Sequence, residues 1–157
     1  MIKLSKTVEL KNFRYSEFAS DETNCFEASV WIDGKRAGTG HNDGQGGPDT
    51  HNPPSLRDEL DKLAKELPPI DMSQYGIEPA EQDAETLIGE LVDAEIERRQ
   101  IARMTRTKTY FRNPKVAYKD GEWAFMKGKA DAARIKALQE RFGPEVMILG
   151  QNCHSLR

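Results

Sequence analysis

The sequence has little cysteine and no long apolar run, and each shortage removes a class of protein. Its two cysteines, Cys25 and Cys153, lie far apart and fit no CxxC pattern. That spacing indicates neither a disulfide framework nor a cysteine-rich zinc site, and both are read as free thiols of a reducing cytosol. No stretch approaches the roughly 20 apolar residues that a membrane helix requires. The first residues, MIKLSKTVELKNF, show neither a long apolar core nor a small-residue cleavage site. No signal peptide is therefore expected, and the expected location is the cytoplasm. The chain also lacks HExxH, the Lys-Ser/Thr ending of a P-loop, and any RNP, helix-turn-helix or zinc-finger signature.

Charge, by contrast, is plentiful. Of 157 residues 31% are charged, and the net charge of −3 argues against indiscriminate coating of nucleic acid. The small sum hides a division. Residues 58–97 hold 13 acidic and 2 basic residues, whereas residues 98–141 hold 13 basic and 4 acidic ones. The switch falls inside a long helical pattern, between Glu97 and Arg98. Acids early and bases late also suit the dipole of that helix.

The expected elements follow from local pattern. Lys6 to Phe13 alternates as a strand, with Val8, Leu10 and Phe13 marking one side. Cys25 to Ile32 is rich in β-formers and runs into Asp33-Gly34, a strong hairpin signal. The return strand, Lys35 to Gly40, carries two glycines that suggest a bulge or a close backbone approach. A helix follows Pro53-Pro54 with Ser55 as its cap and Leu56, Leu60, Leu63 and Leu67 on one face. A longer helix is expected from about Ala80 to Arg103. Then come a strand at Thr107 to Phe111, a second Asp-Gly hairpin joining Val116–Lys119 to Glu122–Met126, a helix at 130–142 stopped by Gly143-Pro144, and a short strand at Val146 to Leu149. Paired strands and blocked helices imply an α+β fold with mainly antiparallel sheet, two Asp-Gly hairpins and about three helices. One domain over residues 1–157 is expected, divided into a hairpin and Gly-rich loop (1–52), a helical region (53–106), a hairpin–helix–strand region (107–150) and a tail (151–157).

The loop GTGHNDGQGGPDTHNPPS, residues 38–55, is the richest in chemistry. His41, Asp43, Asp49 and His51 are metal-ligating types, but the two histidines are ten residues apart, which matches no known ligand spacing, so no metal is expected. Gly44-Gln45-Gly46-Gly47 resembles a phosphate cradle only superficially, and no cofactor is expected. Across a hairpin centred on residues 33 and 34, position 25 falls roughly opposite position 42. Cys25 and His41 could then be close enough for a thiolate–imidazole pair, although a cysteine near a strand start is usually a small buried hydrophobe. The same register brings Asp21, Glu22, Thr23, Asn24 and Cys25 beside His41, Asn42, Asp43, Gly44, Gly46 and Gly47. This ordered polar junction is the first candidate site, with no catalytic residue assigned. The second is a basic patch of Arg98, Arg99, Arg103, Arg106, Lys108, Arg112, Lys115 and Lys119, interleaved with Tyr110, Phe111 and Tyr118. Such interleaving can hold phosphates and stack bases, and it also arises where a half-buried strand alternates core aromatics with solvated bases.

The stretch DETNCFEASVWIDGKRAGTGHNDGQGG, residues 21–47, resembles a family of small proteins carried by bacteria and their phages. Members pair a (D/E)ET-x-CF segment with an NDG-x-GG segment through a DGK hairpin. The resemblance brings no activity with it. It implies an accessory role in a phage or mobile element, in which a small acidic protein binds and blocks a host protein, as an anti-CRISPR or anti-restriction factor does. The expected function is thus binding and inhibition of a host protein or protein–nucleic-acid complex, without a membrane partner. The alternative is a nucleic-acid or nucleotide-binding protein using residues 98–119 and the glycine loop.

Overall fold

The computed structural model describes residues 4–156. Along the chain run β1 (Val8–Ser16), β2 (Cys25–Ile32), β3 (Lys35–Asn42), β4 (Thr50–Asn52), α1 (Pro54–Ala64), a 3-10 turn (Ser73–Tyr75), α2 (Ala84–Met104), β5 (Lys108–Arg112), β6 (Ala124–Lys127), α3 (Ala132–Phe142) and β7 (Met147–Ile148). The fold is α+β. One antiparallel sheet is ordered β1-β2-β3-β4 and a second β6-β5-β7. The chain forms two compact units that divide between Asp93 and Ala94, within α2. The first unit holds 9 basic and 19 acidic residues, net −10, and the second 14 and 7, net +7.

In the first unit β2 sends Phe26, Ala28, Val30 and Ile32 to a buried face, while Glu27 is exposed. Fully burying a side chain such as Val30 is worth about 1.5–3 kcal/mol. Asp33 and Gly34 both take positive φ, 50° and 75°, as the hairpin signal demands. Two bulges then reset the ladders. In β1 the register shifts between Lys11 and Arg14, with Asn12 at φ 52°. The half-buried positions Val8 and Leu10 are even-numbered, whereas after the bulge Phe13 and Tyr15 turn inward. Phe13 is thereby buried and stacks on Phe26 at 6.3 Å between ring centroids. In the β2–β3 hairpin Val30 faces Gly38 but Trp31 faces Arg36, so Ala37 is the extra residue. Of the two glycines of β3, Gly38 meets the close-approach expectation, because a Cβ there would collide with the Asn52 carbonyl and with Leu56 Cδ2, and the bulge falls beside it at Ala37.

Helix α1 buries Leu56, Leu60, Leu63 and Ala64. Its cap is Pro53 with Pro54 in the first turn, and among the described residues no side chain caps it. Ser55 therefore lies inside the first turn, and Leu67 follows the helix in a turn closed by its amide on the Ala64 carbonyl. The start of α2 is set by Asp83, whose carboxylate accepts the Thr86 amide at 2.9 Å while Thr86 Oγ1 accepts the Asp83 amide at 2.8 Å. This reciprocal cap places the helix start at Ala84, later than the apolar spacing suggests. Asp61 Oδ1 accepts the Ala84 amide at 2.7 Å and ties α2 to α1.

In the second unit β5 pairs with β6 and β7. Residues 116–119 form no strand. Asn113 Oδ1 instead accepts the Lys115 amide, the Asn113 carbonyl accepts that of Val116, and Asp120-Gly121 lies in the long β5–β6 connection. Val116 is half exposed, so a strand there would have no apolar face to bury. Asp131 caps α3 through the Arg134 amide. Leu138, Val146 and Ile148 form a buried cluster with Phe111, Ile135 and Phe142 against it. The tail is anchored: Asn152 bonds the Ile148 amide and Val146 carbonyl, and Glu97 Oε1 accepts the Leu156 amide at 2.7 Å.

Candidate functional site

The polar junction forms at the open end of the β2–β3 hairpin. Because of the Ala37 bulge, Asn42 faces Phe26, one position beyond the unbulged register. Asn42 is thus carried inward and is only 6% exposed. All of its polar capacity is used. Its Oδ1 accepts Thr23 Oγ1 at 2.7 Å and the Gly44 amide at 2.8 Å, and its Nδ2 donates to the Gly47 carbonyl and to Asp49 Oδ1, both at 2.9 Å. A buried amide so satisfied is a rigid cross-brace.

The Gly44 carbonyl collects three amides, those of Asp21 at 3.1 Å, Glu22 at 3.0 Å and Thr23 at 3.4 Å. Gly44 holds φ +85°, and a Cβ there would meet the Ala19 carbonyl, so only glycine fits. Thr23 Oγ1 accepts the Gly46 amide, Asp43 Oδ1 accepts the Gln45 amide, and Gln45 Nε2 donates to Asp21. Asn24 Nδ2 reaches Asp93 Oδ1 on α2 at 2.8 Å, and Glu85 Oε1 accepts the Asp49 amide at 3.0 Å. The two segments named from sequence therefore do converge.

Beside this brace lies a cavity of about 570 Å³. Tyr15, Phe26, Gly89 and Val92 contribute to its wall, and its carboxylates are Glu17, Asp21, Glu22, Asp49 and Glu85. Among the described residues no lysine or arginine lines it. Arg57 stands 3.9 Å from Glu85, outside the lining. Glu17, Glu85, Gly89 and Val92 lie outside the two segments that the hairpin register brings together. Of these only Glu85 carries a sequence signal, as a member of the acidic run 58–97.

Cys25 and His41 share a smaller hollow of about 320 Å³, yet no hydrogen bond joins them. The Cys25 amide is held by Ser20 Oγ at 2.8 Å, and His41 is exposed opposite Glu27. His51, from β4, is buried, and neither ring nitrogen finds a partner among the described residues. Burial pushes its imidazole below the ordinary 6.5. Among the described residues no three His, Cys, Asp or Glu side chains are grouped to hold a metal ion.

The basic patch is divided by the structure. Arg98 forks onto Glu95 at 2.7 and 2.8 Å, and Arg99 joins at 2.7 Å. The Arg98 bond, with Arg99 second, holds the Glu95 carboxyl down to about 2 against burial that opposes it. Arg103 is exposed in the last turn of α2 and Arg106 just beyond it, while Lys115 and Lys119 are exposed in the β5–β6 connection. Lys108 and Arg112 belong to β5 and lie over aromatic rings, Lys108 Nζ 4.3 Å from Phe125 and the Arg112 guanidinium 4.3 Å from Trp123. Comparison with protein-family models, with curated proteins and with solved structures returns no match.

Proposed function

We propose that the chain is a binding protein that engages a host macromolecule by taking a cationic segment into the acidic cavity of the first unit. The observation that carries this reading is the cavity itself, with five carboxylates and no lysine or arginine among its described lining residues. The backbone around it is braced by Asn42 and Gly44, so binding would order little that is not already ordered. An arginine or lysine side chain suits both halves of the wall. Its aliphatic stem can lie on Phe26, Val92 and Tyr15 while its charged head meets Glu17, Glu22 or Glu85. The net charge of −10 over the unit would speed the approach of such a partner. An accessory role in a phage or mobile element, which the motif resemblance of residues 21–47 implies, would make a host macromolecule the partner class, with inhibition, as by a counter-defence factor, the proposed outcome.

The test is calorimetric titration of the full chain with an oligo-arginine peptide. Saturable binding is expected that weakens as salt rises, because exposed charges are screened over about 8–10 Å at 0.1–0.15 M salt. Combined Glu17→Gln, Glu22→Gln and Glu85→Gln should weaken it tenfold or more, by about 1.4 kcal/mol. Equal affinity in that variant would refute the cavity as the site.

A further inference from the structure

The second unit carries a surface of opposite chemistry. Residues that face one another across an antiparallel ladder share a side of the sheet. In the β5–β6 ladder Lys108 faces Lys127 and Tyr110 faces Phe125. Continuing one step, Arg112 lies over Trp123. The opposite side of β5 carries Thr109, which is buried, and Phe111, which stacks on Phe142 at 5.5 Å. The core is therefore served by the odd-numbered residues of β5, and the even-numbered ones form a separate outward face.

That face is a row of cations and aromatic rings. Tyr110 and Phe125 lie 5.7 Å apart, and Phe125 is 58% exposed, which a core role does not explain. Lys108 and Lys127 are like charges placed directly opposite, an arrangement that costs stability unless an anion joins them. Among the described residues none of Lys108, Arg112 and Lys127 makes an ion pair. Of the acids nearest in sequence, Asp120 and Glu122 lie in the connecting loop, where Glu122 accepts the Lys119 amide, and Asp131, four residues beyond Lys127, pairs with Arg134. Arg112 is held in place by the Glu122 carbonyl at 2.8 Å, and Trp123 donates to the Leu156 carbonyl. Both planar groups are thus fixed in orientation rather than free to turn away.

We propose that this outward face of β5 and β6 binds single-stranded nucleic acid. Tyr110, Phe125 and Trp123 stack bases, and Lys108, Lys127 and Arg112 hold the phosphates. Three rows spaced two residues apart span about 13 Å of strand, room for two or three bases. Exposed rings can meet only the faces of unpaired bases, because the bases of a duplex are already stacked. The net charge of +7 over this unit favours the encounter.

Fluorescence anisotropy of a labelled oligothymidylate with the full chain tests the proposal, alongside a duplex and heparin. The single strand should bind saturably at ~50 mM salt, at least tenfold more tightly than the duplex, and lose affinity steeply by ~200 mM. Phe125→Ala should weaken binding about 5- to 150-fold, the range expected for removing one stacked base. Lys127→Ala should lower the slope of log affinity against log salt by about one. Both residues are exposed, and circular dichroism of each variant checks that it folds. Three results overturn the proposal: no binding of the single strand, duplex or heparin binding as tight, or unchanged affinity in folded Phe125→Ala. The Glu17, Glu22 and Glu85 variant should bind the oligonucleotide as wild type does, which separates this face from the acidic cavity.

Discussion

Asn42 stands opposite Phe26, and its side chain joins Thr23, Gly44, Gly47 and Asp49 in one buried node. The node exists because Ala37 adds a residue to β3 and turns Asn42 inward. Replacing Asn42 by Ala should cost about 2–3 kcal/mol, because it leaves buried donors and acceptors without partners. Urea denaturation measures the loss. A change under about 0.5 kcal/mol, the level of an ordinary surface substitution, would mean that the node does not brace the fold.

Two glycines in one strand should respond differently. Gly38→Ala drives a methyl group into the Asn52 carbonyl and Leu56, whereas the nearest atoms to a Cβ on Gly40 are an ordinary 3.7 Å away. The first substitution should destabilise by about 1–3 kcal/mol. The second should have little effect. Equal melting temperatures for the two variants would contradict the close approach of β3 to the start of α1.

His51 sets a slope with pH. Its folded-state value lies below 6.5, so the folded protein favours the neutral ring. Its contribution is complete above pH 6.5 and is lost as pH falls below that value toward the folded-state one. His51→Leu should flatten this part of the stability profile. It should also hold or raise stability at neutral pH, because it removes two buried nitrogens that have no partner among the described residues. Stability curves collected from pH 7.5 to 5 decide the matter.

Glu95 governs a lower range. Its carboxyl ionises near 2 in the folded chain against an ordinary 4.5, so its stabilisation is present above 4.5 and fades as pH falls toward 2. Its two arginines are solvent-exposed, which screens the pair, so about 1 kcal/mol is the expected size. Glu95→Gln should remove that acid-range slope while leaving the His51 slope intact.

What could be read from the sequence was whatever is decided locally. Asp33-Gly34 needs only its own backbone to declare a hairpin, and the leucine spacing of α1 needs only its own face. The bulge at Asn12 was not legible in the same way, since it is the stacking of Phe13 on Phe26 that goes with it, and the glycines of β3 suggested a bulge without fixing its place at Ala37. The three residues of β4 are too short to show a period. Asp120-Gly121 forms its turn, but Asn113 and Pro114 divert the chain before 116–119 can become a strand, so β6 pairs with β5 instead. The junction of residues 21–25 with 41–47 was visible because hairpin register counts it out. Glu85, Gly89 and Val92 were not, because α2 brings them to the cavity from far along the chain.

The most direct test of the account is a two-dimensional amide NMR titration of the full chain with an oligo-arginine peptide. The prediction is that the amides of Glu22, Thr23, Gly47, Asp49 and Gly89 shift together and saturate, while those of β5 and β6 stay in place. Shifts confined to other surfaces, or no saturable shift at low salt, would contradict the claim that the acidic cavity is a recognition site.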